Sequence, residues 1–382
     1  MFWKRRVYLD VASGVAGNPS SPHTEGRAAH AALERARSAI ARLVEVQADD
    51  IIFTSGATES NALAILGRVR ALRLLAGADA PGRNNMHVLY LPSAHASLVE
   101  NMRVLAEEGI DIEALPIRDY RVDIDALRTC IRPETVLVSM EAVCGETGVV
   151  WNTREVAEAL KKARKGASAR ITLHVDASQA PLTEKITRDH FGADLLSFDA
   201  AKVADMHGMG VLVAHRTIQL VPLYRGGGQE RGLRSGTESP ELAERFAAAL
   251  GAAARKREPF RTSALSARTR LKEAILKNIP NVSVQEGRDQ APNILSLSFV
   301  GRDTDYLVAL LDEAGFAVAT RSACETDSEE GSRAVYVLTG DSERARATLR
   351  ISWGTGVSQR ALGRFARALA AAVAFIDTSA KR

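Results

Sequence analysis

Ile171-Thr172-Leu173-His174-Val175-Asp176-Ala177-Ser178-Gln179 and Leu195-Leu196-Ser197-Phe198-Asp199-Ala200-Ala201-Lys202 are two apolar runs, each followed by a charged side chain. Each reads as a buried strand whose last residues stand at its C-terminal end, where open α/β sheets place their working groups. The pattern continues outward from this pair. Ile51-Ile52-Phe53, His87 to Leu91, Val136 to Met140 and Val211-Leu212-Val213 are further short apolar runs, and helical patterns lead to about Leu75, from Ser97 to Glu108 and from Arg154 to Arg164. Strands separated by helices predict an α/β layer with a largely parallel or mixed sheet.

Beyond Gly226-Gly227-Gly228 the character changes. Residues 240 to 278 are Ala-rich and predict a long connecting helix broken near Pro259. Ile294 to Val300 and Leu349 to Trp353 then read as strands, with helices at Asp303 to Glu313 and Ser358 to Ile376, which predicts an α+β second domain. With 382 residues, 46% hydrophobic and 25% charged, the chain is long enough for two domains with full cores. The net charge of +4 comes from scattered basic residues, so neither a nucleic-acid partner nor a charged membrane surface is implied. Cys130, Cys144 and Cys324 are an odd set without C-x-x-C spacing, arguing against a disulfide framework or a structural metal. No run approaches the roughly 18 apolar residues of a membrane span, and the opening residues lack a signal-peptide core. A soluble protein of the reducing cytoplasm is the expectation.

Several constellations carry chemistry. Ile51 to Asn61 is a strand, a Thr54-Ser55-Gly56-Ala57-Thr58 turn and a helix start, a place where free N–H groups and the Thr58 hydroxyl could cup an anion; a plain helix cap is the alternative. Asp176 and Lys202, 26 residues apart at two strand ends, are the pair that pyridoxal phosphate requires: an amine to bond its aldehyde and a carboxylate to keep its ring nitrogen protonated. Singly, either would pass for a surface charge or a cap. His95, after Pro92-Ser93-Ala94, can reach the same face and cover a flat ring, or be an ordinary surface or core histidine. Cys324, in the polar stretch Thr320 to Gly331, has the setting of a nucleophilic thiol, whereas Cys130 reads as core. Arg350, inside Leu349-Arg350-Ile351-Ser352-Trp353, calls for either a substrate carboxylate or an internal ion pair.

With these residues assembled, the chain resembles the class V aminotransferases and, within them, the cysteine desulfurases of the NifS and IscS type. The likeness runs in order through Tyr8-Leu9-Asp10, Gly17-Asn18-Pro19-Ser20-Ser21, Phe53 to Ser60, His174 to Gln179, Gly226 to Thr237, Ala291 to Leu295 and Ser322-Ala323-Cys324. It implies the fold type I of pyridoxal-phosphate-dependent transferases: a large domain over residues 10–245 with a seven-stranded, mostly parallel sheet, and a small C-terminal domain over 246–382, on which residues 1–9 pack. It further implies that Lys202 bonds the cofactor, Asp176 pairs with the ring nitrogen, His95 stacks on the ring and Gln179 contacts the ring oxygen. Gly56, Ala57 and Thr58 would hold the phosphate within one subunit and Thr237 would reach it across a homodimer. Arg350 with Asn18 would hold the L-cysteine carboxylate, and Cys324 would take the sulfur as a persulfide for an acceptor protein, in iron-sulfur cluster assembly or tRNA thiolation.

The chain also departs from that pattern. The family's Ser-x-His-Lys reads Asp199-Ala200-Ala201-Lys202, which puts a carboxylate where the phosphate is expected, so that Asp199 must turn away, find a counter-charge or weaken the cofactor. Its Asn-Asn-Glu reads Cys144-Gly145-Glu146, and Ala204-Asp205-Met206-His207-Gly208 replaces the turn after the lysine. The segment between Asp10 and Gly17 is shorter by about a helix, and the family's Ala-Thr-Thr substrate wall is absent. Two other functions stay open on these grounds: a non-catalytic relative acting as a scaffold, and a lyase for selenocysteine or cysteine sulfinate.

Overall fold

A computed structural model describes residues 6–15, 17–76, 85–163, 171–320 and 331–379. Its strands are β1 (Ile51–Thr54), β2 (His87–Tyr90), β3 (Asp111–Ala114), β4 (Ile117–Arg118), β5 (Arg121–Val122), β6 (Thr135–Glu141), β7 (Thr172–Asp176), β8 (Leu195–Asp199), β9 (Gly210–Ala214), β10 (Ser283–Gln285), β11 (Ile294–Ser298) and β12 (Thr348–Ser352). Seven of them form one sheet in the order β1-β9-β8-β7-β6-β2-β3. The pairs β3/β2, β2/β6, β6/β7 and β7/β8 are parallel, and only the two pairs made by β9 are antiparallel. This is the expected seven-stranded, mostly parallel sheet.

That topology positions the site. The strands β2, β6, β7 and β8 point the same way, and two reversals at β9 bring β1 back to that direction. The turn after Thr54, the segment leading to His95, and Glu141, Asp176 and Asp199 therefore all emerge at one sheet edge. Every residue of β1, β7 and β9 is buried, as expected when helices cover both faces of a sheet.

The second core is separate. β10, β11 and β12 form an antiparallel sheet whose Leu295, Leu297, Leu349 and Ile351 pack with Leu307, Leu311, Phe365 and Leu369 from the helices Thr304–Glu313 and Gln359–Ser379. One helix, Pro240–Asn278, serves both cores: Ala243, Phe246 and Leu250 belong to the first, Phe260, Ala264, Leu271 and Ile275 to the second. It is not broken at Pro259, as the sequence had suggested. The exposed proline falls where the helix passes from one core to the other, so packing on both sides carries the helix through a residue that costs about 3 kcal/mol in an isolated helix interior.

The sequence raised no expectation for the helix Thr24–Val44, which lies along Pro240–Asn278. It raised none either for the half-exposed edge strand β3, the short pair β4/β5 or the strand β10, which pairs with the expected strand β11. The helix opened by Ala57–Ala62 continues through a π turn, Leu63–Gly67, into Arg68–Leu75. Before β1, Arg6 pairs with Glu25 and the Tyr8 ring meets His23 edge-on, which ties this segment to the helix Thr24–Val44. Among the described residues no helix is long and apolar enough to cross a membrane.

Candidate active site

A cavity of about 390 Å³ opens at this sheet edge, and His95, Gln179, Lys202 and Arg350 all line it. Lys202 ends the short 3-10 turn that follows β8; among the described residues nothing hydrogen-bonds or pairs with its amine. Arg350 comes from β12 of the other core. Its Nη1 donates to the Gly145 carbonyl at 3.1 Å, and it makes no ion pair among the described residues. Gln179 lies against Gly145, where a Cβ would come within 3.0 Å of its Nε2. The space freed at position 145 is thus filled by the Gln179 amide.

Asp176 ends β7, buried, and does not itself line the cavity. Its Oδ1 accepts the Ser178 N–H at 2.9 Å and its Oδ2 accepts from Asn61 Nδ2 at 2.7 Å. Asn61 also donates to Ser97 Oγ, at 2.9 Å, and Ser97 reaches His95 Nδ1 with its hydroxyl at 2.9 Å and its N–H at 3.2 Å. A continuous polar line therefore runs from His95 to Asp176. Because Nδ1 accepts, the proton of the neutral His95 ring resides on Nε2. Asn61 and Ser97 were not singled out from sequence, although Asn61 lies in the quoted turn-and-helix motif.

Glu141, at the end of β6, was missed as well. It is the register partner of Asp176, so the two carboxyls project from the same face of neighbouring strands. Burial and the Asp176 charge push its carboxyl well above the usual carboxylate range, and burial with the charges of Glu141 and Glu146 does the same to the Cys144 thiol. Cys144 is thereby kept as a thiol, the unreactive form.

The remaining sequence candidates are placed as follows. Asn18 Nδ2 donates to the Ser13 carbonyl at 3.0 Å and lies 3.5 Å from Thr237 Oγ1; neither Asn18 nor Thr237 lines the cavity, so within one chain Asn18 is grouped with Thr237 and not with Arg350. Thr58 is exposed at the start of its helix, after Gly56 at φ +154°. Asp199 does not turn away, nor does it find a counter-charge among the described residues. Its Oδ2 accepts the Ala57 N–H at 3.1 Å and its Oδ1 the Ala201 N–H at 2.8 Å, inside the turn itself. Cys324 lies outside the described residues, but both flanks of its segment are anchored at the cavity: Ala319 pairs with Arg350 through backbone hydrogen bonds, and Ser332 Oγ donates to Glu146 at 2.5 Å.

Two buried polar atoms that line the cavity, Ser93 Oγ and Glu141 Oε1, have no hydrogen-bond partner among the described residues. Together with an accessible amine, an imidazole and a primary amide, they suit a polar aromatic aldehyde such as pyridoxal phosphate at its ring end.

This fold and cavity define an enzyme of the class-V aminotransferase type. The chain belongs to that family, whose model, described as aminotransferase class-V, matches residues 7–364. It is 35% identical to the mitosomal cysteine desulfurase of Encephalitozoon cuniculi over 92% of this chain and 82% of that protein. It is 31% identical to cysteine desulfurase IscS 1 of Archaeoglobus fulgidus, over 88% and 85%. Among solved structures, a NifS-like protein superposes with a TM-score of 0.83 at 25% identity, covering 94% of this chain and 92% of the other. The cytoplasmic location expected from the sequence is corrected by these matches, since the Encephalitozoon relative and those from Arabidopsis thaliana and Saccharomyces cerevisiae are mitosomal or mitochondrial.

Proposed function

We propose that the protein is a pyridoxal-phosphate-dependent cysteine desulfurase that converts L-cysteine to L-alanine and leaves the sulfur as a persulfide on Cys324. The observation that carries this reading is the convergence of Lys202, His95, Gln179 and Arg350 on one cavity at whose rim both flanks of the Cys324 segment are fastened. Lys202 would hold the cofactor's aldehyde carbon, Asp176 its ring nitrogen, Gln179 its ring oxygen and His95 its flat face. When bound, the cofactor supplies an electron sink for the substrate's Cα–H bond.

This chain's own groups do the rest. The Arg350 guanidinium holds the substrate carboxylate, and the Lys202 amine moves a proton at Cα. The Cys324 thiolate attacks the substrate sulfur while the carbon–sulfur bond breaks, with His95 Nε2 as proton partner. The atoms balance: cysteine and an enzyme thiol become alanine and an enzyme persulfide.

Residues 10–245 and 246–382 form the two domains in this reading, the second delivering Arg350 and Cys324 to the first. The protein acts as a homodimer in which Thr237 and Asn18, away from their own chain's cavity, complete that of a second copy. An acceptor protein in iron-sulfur cluster assembly or tRNA thiolation takes the persulfide sulfur.

The test is alanine release from L-cysteine with added pyridoxal phosphate and a reductant. The wild type is expected to release alanine, and Cys324→Ala and Lys202→Ala to lose it by at least 100-fold, roughly the scale of removing a group that acts on the reacting atoms. Alanine surviving in Cys324→Ala would replace this reading with a lyase. Its absence from a folded wild type at saturating cofactor would leave the scaffold role.

A further inference from the structure

We propose that the Asp199 carboxylate occupies the seat of the cofactor phosphate, so that this protein holds pyridoxal phosphate chiefly by its ring and scarcely prefers it to pyridoxal, the unphosphorylated form. The inference rests on the pyridoxal-phosphate reading above and concerns the end of the site that the ring does not use.

Asp199 is the last residue of β8, three before Lys202. Both of its oxygens are engaged by backbone N–H groups on the two sides of that seat: Ala201 on the lysine turn at 2.8 Å, Ala57 across the sheet edge at 3.1 Å. The carboxylate lies against the Gly56 turn, where a Cβ would stand only 3.5 Å from Oδ2. These are the groups a phosphate would need, a glycine turn that allows close approach and N–H donors aimed at an anion. Here a built-in anion has already taken the Ala57 and Ala201 N–H groups.

The surroundings do not soften the conflict. The neighbouring carboxylate, Glu59, accepts the Ser55 N–H at 2.6 Å but is also met by Arg234 Nε at 3.4 Å and by the Tyr224 hydroxyl at 2.7 Å. Asp199 has no such partner: among the described residues no cation pairs with it, and Ala201 brings no side-chain donor. A phosphate dianion entering this turn must displace the carboxylate from two hydrogen bonds or sit beside it with like charge. Pyridoxal, with a neutral hydroxymethyl group, meets neither obstacle.

Equilibrium dialysis of pyridoxal phosphate and of pyridoxal against the purified full-length protein tests this, with Asp199→Ser, Asp199→Asn and Lys202→Ala beside the wild type and thermal melts to verify folding. The wild type is expected to bind the two within roughly tenfold of each other. Asp199→Ser and Asp199→Asn should tighten pyridoxal phosphate by about tenfold or more and leave pyridoxal nearly unchanged, as removal of one like charge in a partly desolvated site requires. A wild type that binds pyridoxal phosphate a thousandfold or more over pyridoxal, with no gain in either variant, would overturn the inference while leaving the cofactor reading intact. Folded wild type and variants that bind neither compound, or a Lys202→Ala that binds both as well as the wild type, would instead sink the cofactor reading, and this inference with it.

Discussion

His174 shows how closely a single side chain can be bound to its place in the sheet. It stands mid-strand in β7, fully buried, with Nδ1 2.8 Å from Ser139 Oγ and Nε2 3.0 Å from Ser197 Oγ on the flanking strands. Burial lowers its pKa from 6.5 to about 4. The folded protein therefore keeps it neutral where the unfolded chain takes up a proton, so its contribution is complete above pH 6.5 and is lost as the pH falls toward 4. Unfolding in urea at a series of pH values should show the wild type losing on the order of 3 kcal/mol more than His174→Gln across that window. Equal losses would mean that His174 is not held neutral. Cys144 follows the same logic with the opposite sign of charge: burial and two neighbouring carboxyls raise its pKa and favour the thiol, the less reactive form.

Among the elements, the loop from Gly226 to Thr237 depends most on distant partners. Glu230 and Arg231 have φ of +48° and +61°, a conformation that costs a side-chain-bearing residue about 1 kcal/mol or more. Glu230 is held there by a buried ion pair. Arg37, from the helix Thr24–Val44, donates from Nη1 and Nη2 to the two Glu230 oxygens at 2.7 and 2.6 Å, and also to the Ile51 carbonyl at 2.8 Å. Glu230 Oε2 further accepts the Phe53 N–H at 2.8 Å, and the Arg37 guanidinium lies 4.8 Å from the Phe53 ring centroid. Helix, first strand and loop are thus locked through one contact. Arg37→Met leaves the Glu230 carboxylate buried without its partner and should lower unfolding stability by about 3–5 kcal/mol, whereas Arg37→Met with Glu230→Gln should recover a good part of the loss. Urea denaturation measures both; a single substitution costing under about 1 kcal/mol would show the pair to be incidental.

For the whole molecule, the site needs more than one unit of structure. Lys202 and His95 come from the seven-stranded sheet, Arg350 from the three-stranded one, and the helix Pro240–Asn278 binds the two cores into one frame. Thr237 and Asn18 lie together away from the cavity of their own chain. Light scattering after gel filtration should accordingly give twice the 41.1 kDa of the chain, and mixing Lys202→Ala with Asn18→Ala protein under subunit exchange should restore part of the alanine release that each lacks alone. A monomer of full activity would refute the shared site.

The sequence by itself determined the sheet, its strand-end acid and lysine, and the family, because short buried strands must be continuous apolar runs and because the chemistry sits in contiguous motifs. It also exposed Asp199 as an anomaly. Only the tertiary structure decided what that anomaly does. Whether a carboxylate turns away or fills an anion seat depends on the Ala57 N–H, 142 residues distant in the chain. The same holds for Glu141, which reads as the end of an apolar strand until β7 sets Asp176 beside it, and for Arg37, whose place on a helix is hidden because a buried ion pair interrupts the apolar stripe. Local patterning records which residues are buried; which buried groups meet is settled by strand order and by the packing of the two cores.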